Sequence, residues 1–273
     1  MADIAGKYYS EDIVYKETSD FDAGVLSSGT IIYEVIRIFN GTALFVEDHI
    51  ERLQHSVLLS GFAYNVSVPV LHYLLRNLIR KNNISVGNVK IVLRFDQHNQ
   101  TVLYTFLIPH AYPDDSMYLQ GVKTDFFRAA RKDPNIKKLH PDIATRVSEF
   151  IKTENLYDAL LVTEGDQITE GSKTNIFFIK DSTVYTAPGD TVLRGITREK
   201  VIYLCNNLNI KLLEKPIEIK RLAEFDASFF TGTSPKVLPI NAISNLNYQV
   251  ENAVMRSIMK AYDDLIAAYI FHW

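Results

Sequence analysis

Cysteine is nearly absent. Cys205 is the only one in 273 residues, so no internal disulfide can form and a cross-linked scaffold is excluded. Its neighbours Ile202, Tyr203, Leu204 and Leu208 form a helix-like stretch in which it reads as a small buried hydrophobe, consistent with a reducing compartment. With 12 glycines and 9 prolines, collagen-like, linker and disordered readings also fall away. No run approaches about 18 uncharged apolar residues, and the first residues place no apolar stretch behind a basic region. Neither a membrane helix nor a secretory leader is expected, and the chain is placed in the cytoplasm. Positive charge is not in excess either. Against 29 Lys and Arg stand 32 Asp and Glu, so no global basic field exists to hold a polyanion, and nucleic acid is not an expected partner. The one basic cluster, Arg128 to Lys138, is interrupted by Asp133 and Pro134 and reads as a solvated strand edge and turn.

What the chain does contain is core material, 47% hydrophobic and 11% aromatic residues. Single cores stop growing at roughly 250–300 residues, so two lobes are expected. Thr30 to Phe39 reads as a strand, Asn40-Gly41 as a hairpin turn and Thr42 to Val46 as the return strand. Glu47 and Asp48 suit a helix start, with Ile50, Leu53, Val57 and Leu58 at helical spacing. A second helix starts near Pro69 and carries Leu71, Leu74, Leu75, Leu78 and Ile79. Val89 to Phe95 and Val102 to Ile108 form another hairpin. The Pro- and Asp-containing stretch that follows marks a boundary, giving a small domain over 1–110, a linker over 111–118 and a larger domain over 119–273.

In the second half, strands are expected near Val122 to Phe127, Ala159 to Thr163, Asn175 to Ile179 and Ser228 to Thr231. Helices are expected after Pro141, after Thr197 and from about Asn252. Leu193-Arg194-Gly195-Ile196-Thr197-Arg198 leads from coil into a helix that Thr197 could cap, with adjacent amides facing an anion such as phosphate. Thr231-Gly232-Thr233-Ser234 follows an apolar strand and offers a second donor-rich loop. In Thr169 to Asn175, Glu170 stands just before a Gly-Ser turn. A buried glutamate facing a ring nitrogen would keep that nitrogen protonated, as an electron-sink cofactor requires.

These stretches, with Tyr33-Glu34, Asp48-His49-Ile50-Glu51-Arg52-Leu53 and the lysine segment Asn135 to His140, occur together in an order that resembles the fold-type IV pyridoxal-phosphate enzymes. That family includes branched-chain aminotransferases, D-amino acid transaminases and aminodeoxychorismate lyases. The resemblance implies an α+β chain with a small N-terminal α/β sandwich, a larger C-terminal pseudo-barrel and a homodimer. It implies pyridoxal 5'-phosphate as cofactor, no metal, and a small amino acid or an aminodeoxychorismate-like substrate.

By the same resemblance Lys137 carries the cofactor as a Schiff base and Glu170 faces the pyridine nitrogen. Lys138 is the competitor, since on a strand the two side chains would point to opposite faces. Arg52, Gly195, Ile196, Thr197, Gly232 and Thr233 match the phosphate site, with Asn175 beside it, while Tyr33 and Ser234 belong to the substrate side. The turn Phe95 to Gln100 is short and lacks the Arg-Gly-rich segment that supplies basic groups in some relatives. Lys90 and Arg94, on one face of the preceding strand, are candidates to replace that charge for a substrate carboxylate. The leading function is an aminotransferase. The alternatives are a lyase that eliminates pyruvate and a non-catalytic protein that binds the cofactor.

Overall fold

The computed structural model describes residues 4–98, 100–129, 133–137 and 141–272. Their packing separates into two units: residues up to Ala111 with Ile136–Lys137 and the end of the chain from Ile266, and the rest.

In the first unit, six antiparallel strands form one sheet. They are β1 (Ala5–Glu11), β2 (Val14–Glu17), β3 (Thr30–Phe39), β4 (Thr42–Ala43), β5 (Gly87–Phe95) and β6 (Thr101–Ile108), ordered β2-β1-β6-β5-β3-β4. Helices α1 (Val46–Leu59) and α2 (Val68–Asn82) cover one face. Strand alternation decides which side chains meet them. Ile32, Ile36 and Ile38 of β3 and Val89, Ile91 and Leu93 of β5 pack against Ile50, Leu53 and Val57 of α1 and Leu71, Leu74 and Leu78 of α2. Each fully buried side chain of this kind contributes about 1.5–3 kcal/mol. The opposite face carries a second cluster of Tyr9, Ile31, Val92, Tyr104 and Phe106.

The return strand is shorter than the pattern predicts. It ends at Ala43, because Phe45 takes a left-handed backbone (φ 54°) and turns the chain into α1 at Val46. The Phe45 ring packs on Tyr269 at 4.9 Å, and the Val46 N–H donates to the Tyr269 hydroxyl at 3.1 Å. A residue from the far end of the chain thus holds the strained turn, which no local pattern discloses.

The second unit contains α3 (Asp115–Gln120), β7 (Val122–Arg128), α4 (Pro141–Thr153), β8 (Asp158–Val162), β9 (Gln167–Gly171), β10 (Asn175–Lys180) and β11 (Thr183–Thr186). After these come α5 (Ile196–Asn207), β12 (Leu212–Glu214), β13 (Ile217–Glu218), β14 (Ala227–Gly232), β15 (Lys236–Ile243) and β16 (Leu246–Asn247). The last helix, α6 (Ala253–His272), begins in this unit. The sheet runs β12-β11-β10-β14-β15-β7-β8-β9-β13, with β16 on β15. It is mixed, since β7 lies parallel to both β8 and β15. Ile176, Phe178, Phe230, Leu238 and Ile240 form its core. Cys205 is fully buried on α5, and burial pushes its thiol up to about 12, so it is inert packing.

Candidate active site

The candidate side chains fall into two clusters, one in each unit. In the first, β3 supplies neighbours with opposite tasks. Glu34 points to the helix side and is fully buried among the isoleucines, a placement that demands partners. Arg52 of α1 donates from Nε to Glu34 Oε1 at 2.8 Å and from Nη2 to Oε2 at 2.6 Å. A carboxylate can only accept, so His49 donates its Nδ1–H to Oε2, at 2.7 Å. Burial alone would raise the Glu34 carboxyl, but the Arg52 charge and the hydrogen bonds of both partners hold it well below the usual carboxylate range. Burial also lowers His49, against the pull of Glu34 and with the charges of Arg52 and Lys137 adding to the effect. Arg52 is thus neither a solvated helix residue nor a loose cation: two of its five donors are fixed in a fork on Glu34.

Tyr33 faces the other way. Beyond the stretch of β3 that pairs with β4, the Tyr33 N–H donates to the Lys137 carbonyl at 3.2 Å. The Lys137 N–H donates in turn to Ser56 Oγ of α1 at 3.3 Å. The Lys137 amine stands 5.2 Å from the centre of the Tyr33 ring, and Lys90 Nζ stands 4.6 Å from the same centre. Lys137 lies in coil and not on a strand. Lys138 lies outside the described residues. Arg94 shares the Lys90 face, paired with Ile31 where Lys90 pairs with Val35. Its Nε donates to Ser28 O at 3.3 Å and its Nη2 to Ser28 Oγ at 3.1 Å.

In the second unit Glu170 sits on β9, just ahead of the Gly171-Ser172 turn, and is 3% exposed. Its Oε2 accepts from the Leu193 N–H at 3.1 Å and from Asn175 Nδ2 at 3.3 Å, and Asn175 also donates to the Leu193 carbonyl at 2.8 Å. Asn175 opens β10 and therefore ties the β9 acid to the loop ahead of α5. The turn between them is organised by Asp158, a residue that sequence reasoning missed. Its carboxylate accepts from the hydroxyls of Ser172 at 2.5 Å and Thr174 at 2.7 Å and from the Lys173 N–H at 3.2 Å.

The N-cap of α5 is Gly195, and no side chain among the described residues caps the helix. Thr197 does not take that part: it lies inside the first turn, buried, with its hydroxyl 3.2 Å from that of Tyr262. Ile196, also buried, shares that turn. Gly232 ends β14, while Thr233 and Ser234 form the turn to β15. The Thr231 hydroxyl is buried without a hydrogen-bond partner among the described residues. A buried carboxylate, an uncapped helix start and an orphaned hydroxyl are a donor and acceptor set that fits a protonated ring and a phosphate. No group of His, Cys, Asp and Glu among the described residues could hold a metal ion. Nor is any helix among them long and apolar enough to cross a membrane.

Fold and site chemistry together define a pyridoxal-phosphate enzyme of fold type IV, with a small antiparallel sheet and a larger curled pseudo-barrel. The family model for amino-transferase class IV matches residues 31–243, and the chain belongs to that family, whose members use pyridoxal phosphate. A D-alanine aminotransferase from Bacillus licheniformis is 28% identical over 253 residues, spanning 85% of this chain and 88% of that protein. The branched-chain amino acid aminotransferase of Escherichia coli superposes with a TM-score of 0.86 at 21% identity, covering 96% of this chain and 95% of its own. A branched-chain amino acid aminotransferase of T.th., solved with N-(5'-phosphopyridoxyl)-L-glutamate, gives 0.85 at 18% identity, with 97% and 96% covered. The chain is a class IV aminotransferase.

Proposed function

We propose that this aminotransferase works on small amino acids, with D-alanine the first candidate donor, and that Lys137 is its attachment lysine. The observation that carries the reading is the seat of Lys137, fixed by the backbone of Tyr33 and the hydroxyl of Ser56 with its amine over the Tyr33 ring. The curated relative named above is a D-alanine aminotransferase, which supports the choice of donor.

When bound, the cofactor supplies an electron sink for the breaking Cα–H bond and carries the amino group from donor to acceptor. Lys137 would hold the cofactor covalently and, as a free amine, would take the proton from the substrate Cα. Glu170, oriented by Leu193 and Asn175, holds the proton on the ring nitrogen. Arg52, the amides of Gly195, Ile196 and Thr197, and the Gly232-Thr233 turn hold the phosphate, and Ser234 and Tyr33 line the substrate side. The active form is proposed to be a cytoplasmic homodimer with the small domain over 1–110, a linker over 111–118 and the larger domain over 119–273.

The experiment is a half-reaction screen in which purified holoenzyme is mixed with D- and L-alanine and with aminodeoxychorismate, following the cofactor band. Rapid conversion by D-alanine, with borohydride fixing the pyridoxyl group on Lys137, is the expected result. Fixation on Lys138 would overturn the assignment, and pyruvate release from aminodeoxychorismate without conversion by either alanine would make the chain a lyase.

A further inference from the structure

Lys90 is a half-buried cation with no anion beside it among the described residues. It lies on β5 between Val35 of β3 and Phe106 of β6, on the sheet face that packs Ile31, Val92 and Tyr104. Among the described residues its Nζ makes no ion pair and donates no hydrogen bond, and its one close partner is the ring of Tyr33 at 4.6 Å. A lone ammonium in apolar surroundings is unfavourable, and burial pulls its pKa below the ordinary lysine range. Where structure requires a cation, as at Arg52, the chain supplies Glu34. For Lys90 it supplies an aromatic face, which tolerates the charge without neutralising it. Lys137 stands over the same ring at 5.2 Å, so an anion held by Lys90 is held beside the lysine that performs the chemistry.

We propose that Lys90 is the specificity-determining cation of this site: it binds the carboxylate of the amino-acid donor and of the oxo-acid acceptor over Tyr33, and acts without Arg94. Arg94 has the other task of tying Ser28, beyond the short helical segment Ala23–Ser27, to the end of β5. The ligand class is then a compact carboxylic acid and not a simple amine. A lysine presents a point charge, so it fixes where the carboxylate lies and leaves its plane free. The inference rests on the aminotransferase reading for its substrate, but its first test does not.

Holoenzyme is labelled with trace acetic anhydride with and without propionate, and acetylation of each lysine is read by peptide mass spectrometry. Propionate is expected to slow labelling of Lys90 severalfold and to leave exposed Lys260 unchanged. Equal labelling of Lys90 with and without propionate overturns the proposal, and no variant has to fold for that result. In a second arm, Lys90→Met raises the KM for D-alanine by about tenfold to a hundredfold, the loss expected for one charge-assisted contact, with kcat changed less than about threefold. Lys90→Arg restores most of the binding. An unchanged KM in a folded, active Lys90→Met protein overturns the assignment. If the parent converts no amino acid at all while propionate still protects Lys90, the aminotransferase reading fails and the carboxylate site stands.

Discussion

The Arg52 guanidinium and the Glu34 carboxylate meet fork to fork at 2.8 and 2.6 Å, with Glu34 wholly buried and Arg52 10% exposed. The pair joins α1 to β3 and sets the plane of an arginine proposed to hold phosphate. Glu34→Gln keeps the shape, removes the charge and turns one acceptor into a donor facing Arg52. Breaking a buried pair from one side costs about 3–5 kcal/mol, so the melting temperature of the cofactor-free protein should fall by several degrees. Cofactor affinity should fall with it, although Glu34 is not among the residues proposed to touch the cofactor. A variant as stable as the parent would mean that Arg52 finds another acceptor.

Asp158 acts in the same way on the other cluster. Its carboxylate, 2% exposed, accepts from the two hydroxyls and the amide that shape the turn between Glu170 and Asn175. In Asp158→Asn one oxygen becomes an NH2 group facing donors, a conflict of about 1–3 kcal/mol in denaturant unfolding. The spectrum of bound cofactor should shift as Glu170 loses its fixed position, while Asp226→Asn, at an exposed turn, should change neither property.

Much of the framework was legible because local pattern and final structure agree. Thr30 to Phe39 is rich in β-branched and aromatic residues, α1 and α2 repeat apolar residues at helical spacing, and the β5 and β6 runs are flanked by turn residues. Features made by distant partners were not legible. The strand β4 is cut short by Phe45, which Tyr269 holds, and β13 and β16 are two-residue strands that exist only through pairing. The site shows the same division. The two donor-rich loops and Glu170 were singled out from local pattern and Lys137 by resemblance, whereas Asp158 sits before an apolar run and gives no local sign of its grip on the Ser172 to Thr174 turn. One signal was available: Glu34 lies between Ile32 and Ile36 on the apolar face of β3, and a carboxylate there must have a cation, which the nearby helix supplies as Arg52.

Gly195 tests the coupling between loop and acid. A Cβ at that position would overlap Asn175 Oδ1, and Asn175 is the residue that links Glu170 to the Leu193 carbonyl. Gly195→Ala should therefore displace the Asn175 amide, loosen both hydrogen bonds and weaken cofactor binding about tenfold or more by calorimetry. Pairing Gly195→Ala with Asn175→Ala, which removes the obstructing atoms, should recover part of the affinity. Additive losses would show that the glycine is needed for its closeness to the cofactor and not for its closeness to Asn175.

The buried His49–Glu34 contact predicts the acid sensitivity of the fold. For His49 the unfolded chain takes up a proton around the ordinary value of 6.5, while the folded state, in which burial lowers the group, does not. The unfolded state therefore binds more protons as the pH falls below 6.5, and stability drops, by at most about 1.4 kcal/mol per pH unit for this one site. Glu34 adds a second, lower window. Its folded pKa is depressed, so its contribution is present above the ordinary carboxyl value of 4.5 and is lost as the pH falls from there toward the folded value. His49→Gln retains an N–H donor toward Glu34 but cannot be protonated. Urea unfolding of the cofactor-free protein from about pH 7.5 to 4 should show a shallower decline for this variant between about pH 6.5 and 5, with the drop below about 4.5 retained. Parallel curves over the upper window would mean that folded His49 takes up its proton as readily as in the unfolded chain, and that the Glu34 carboxylate stabilises an imidazolium there in spite of burial.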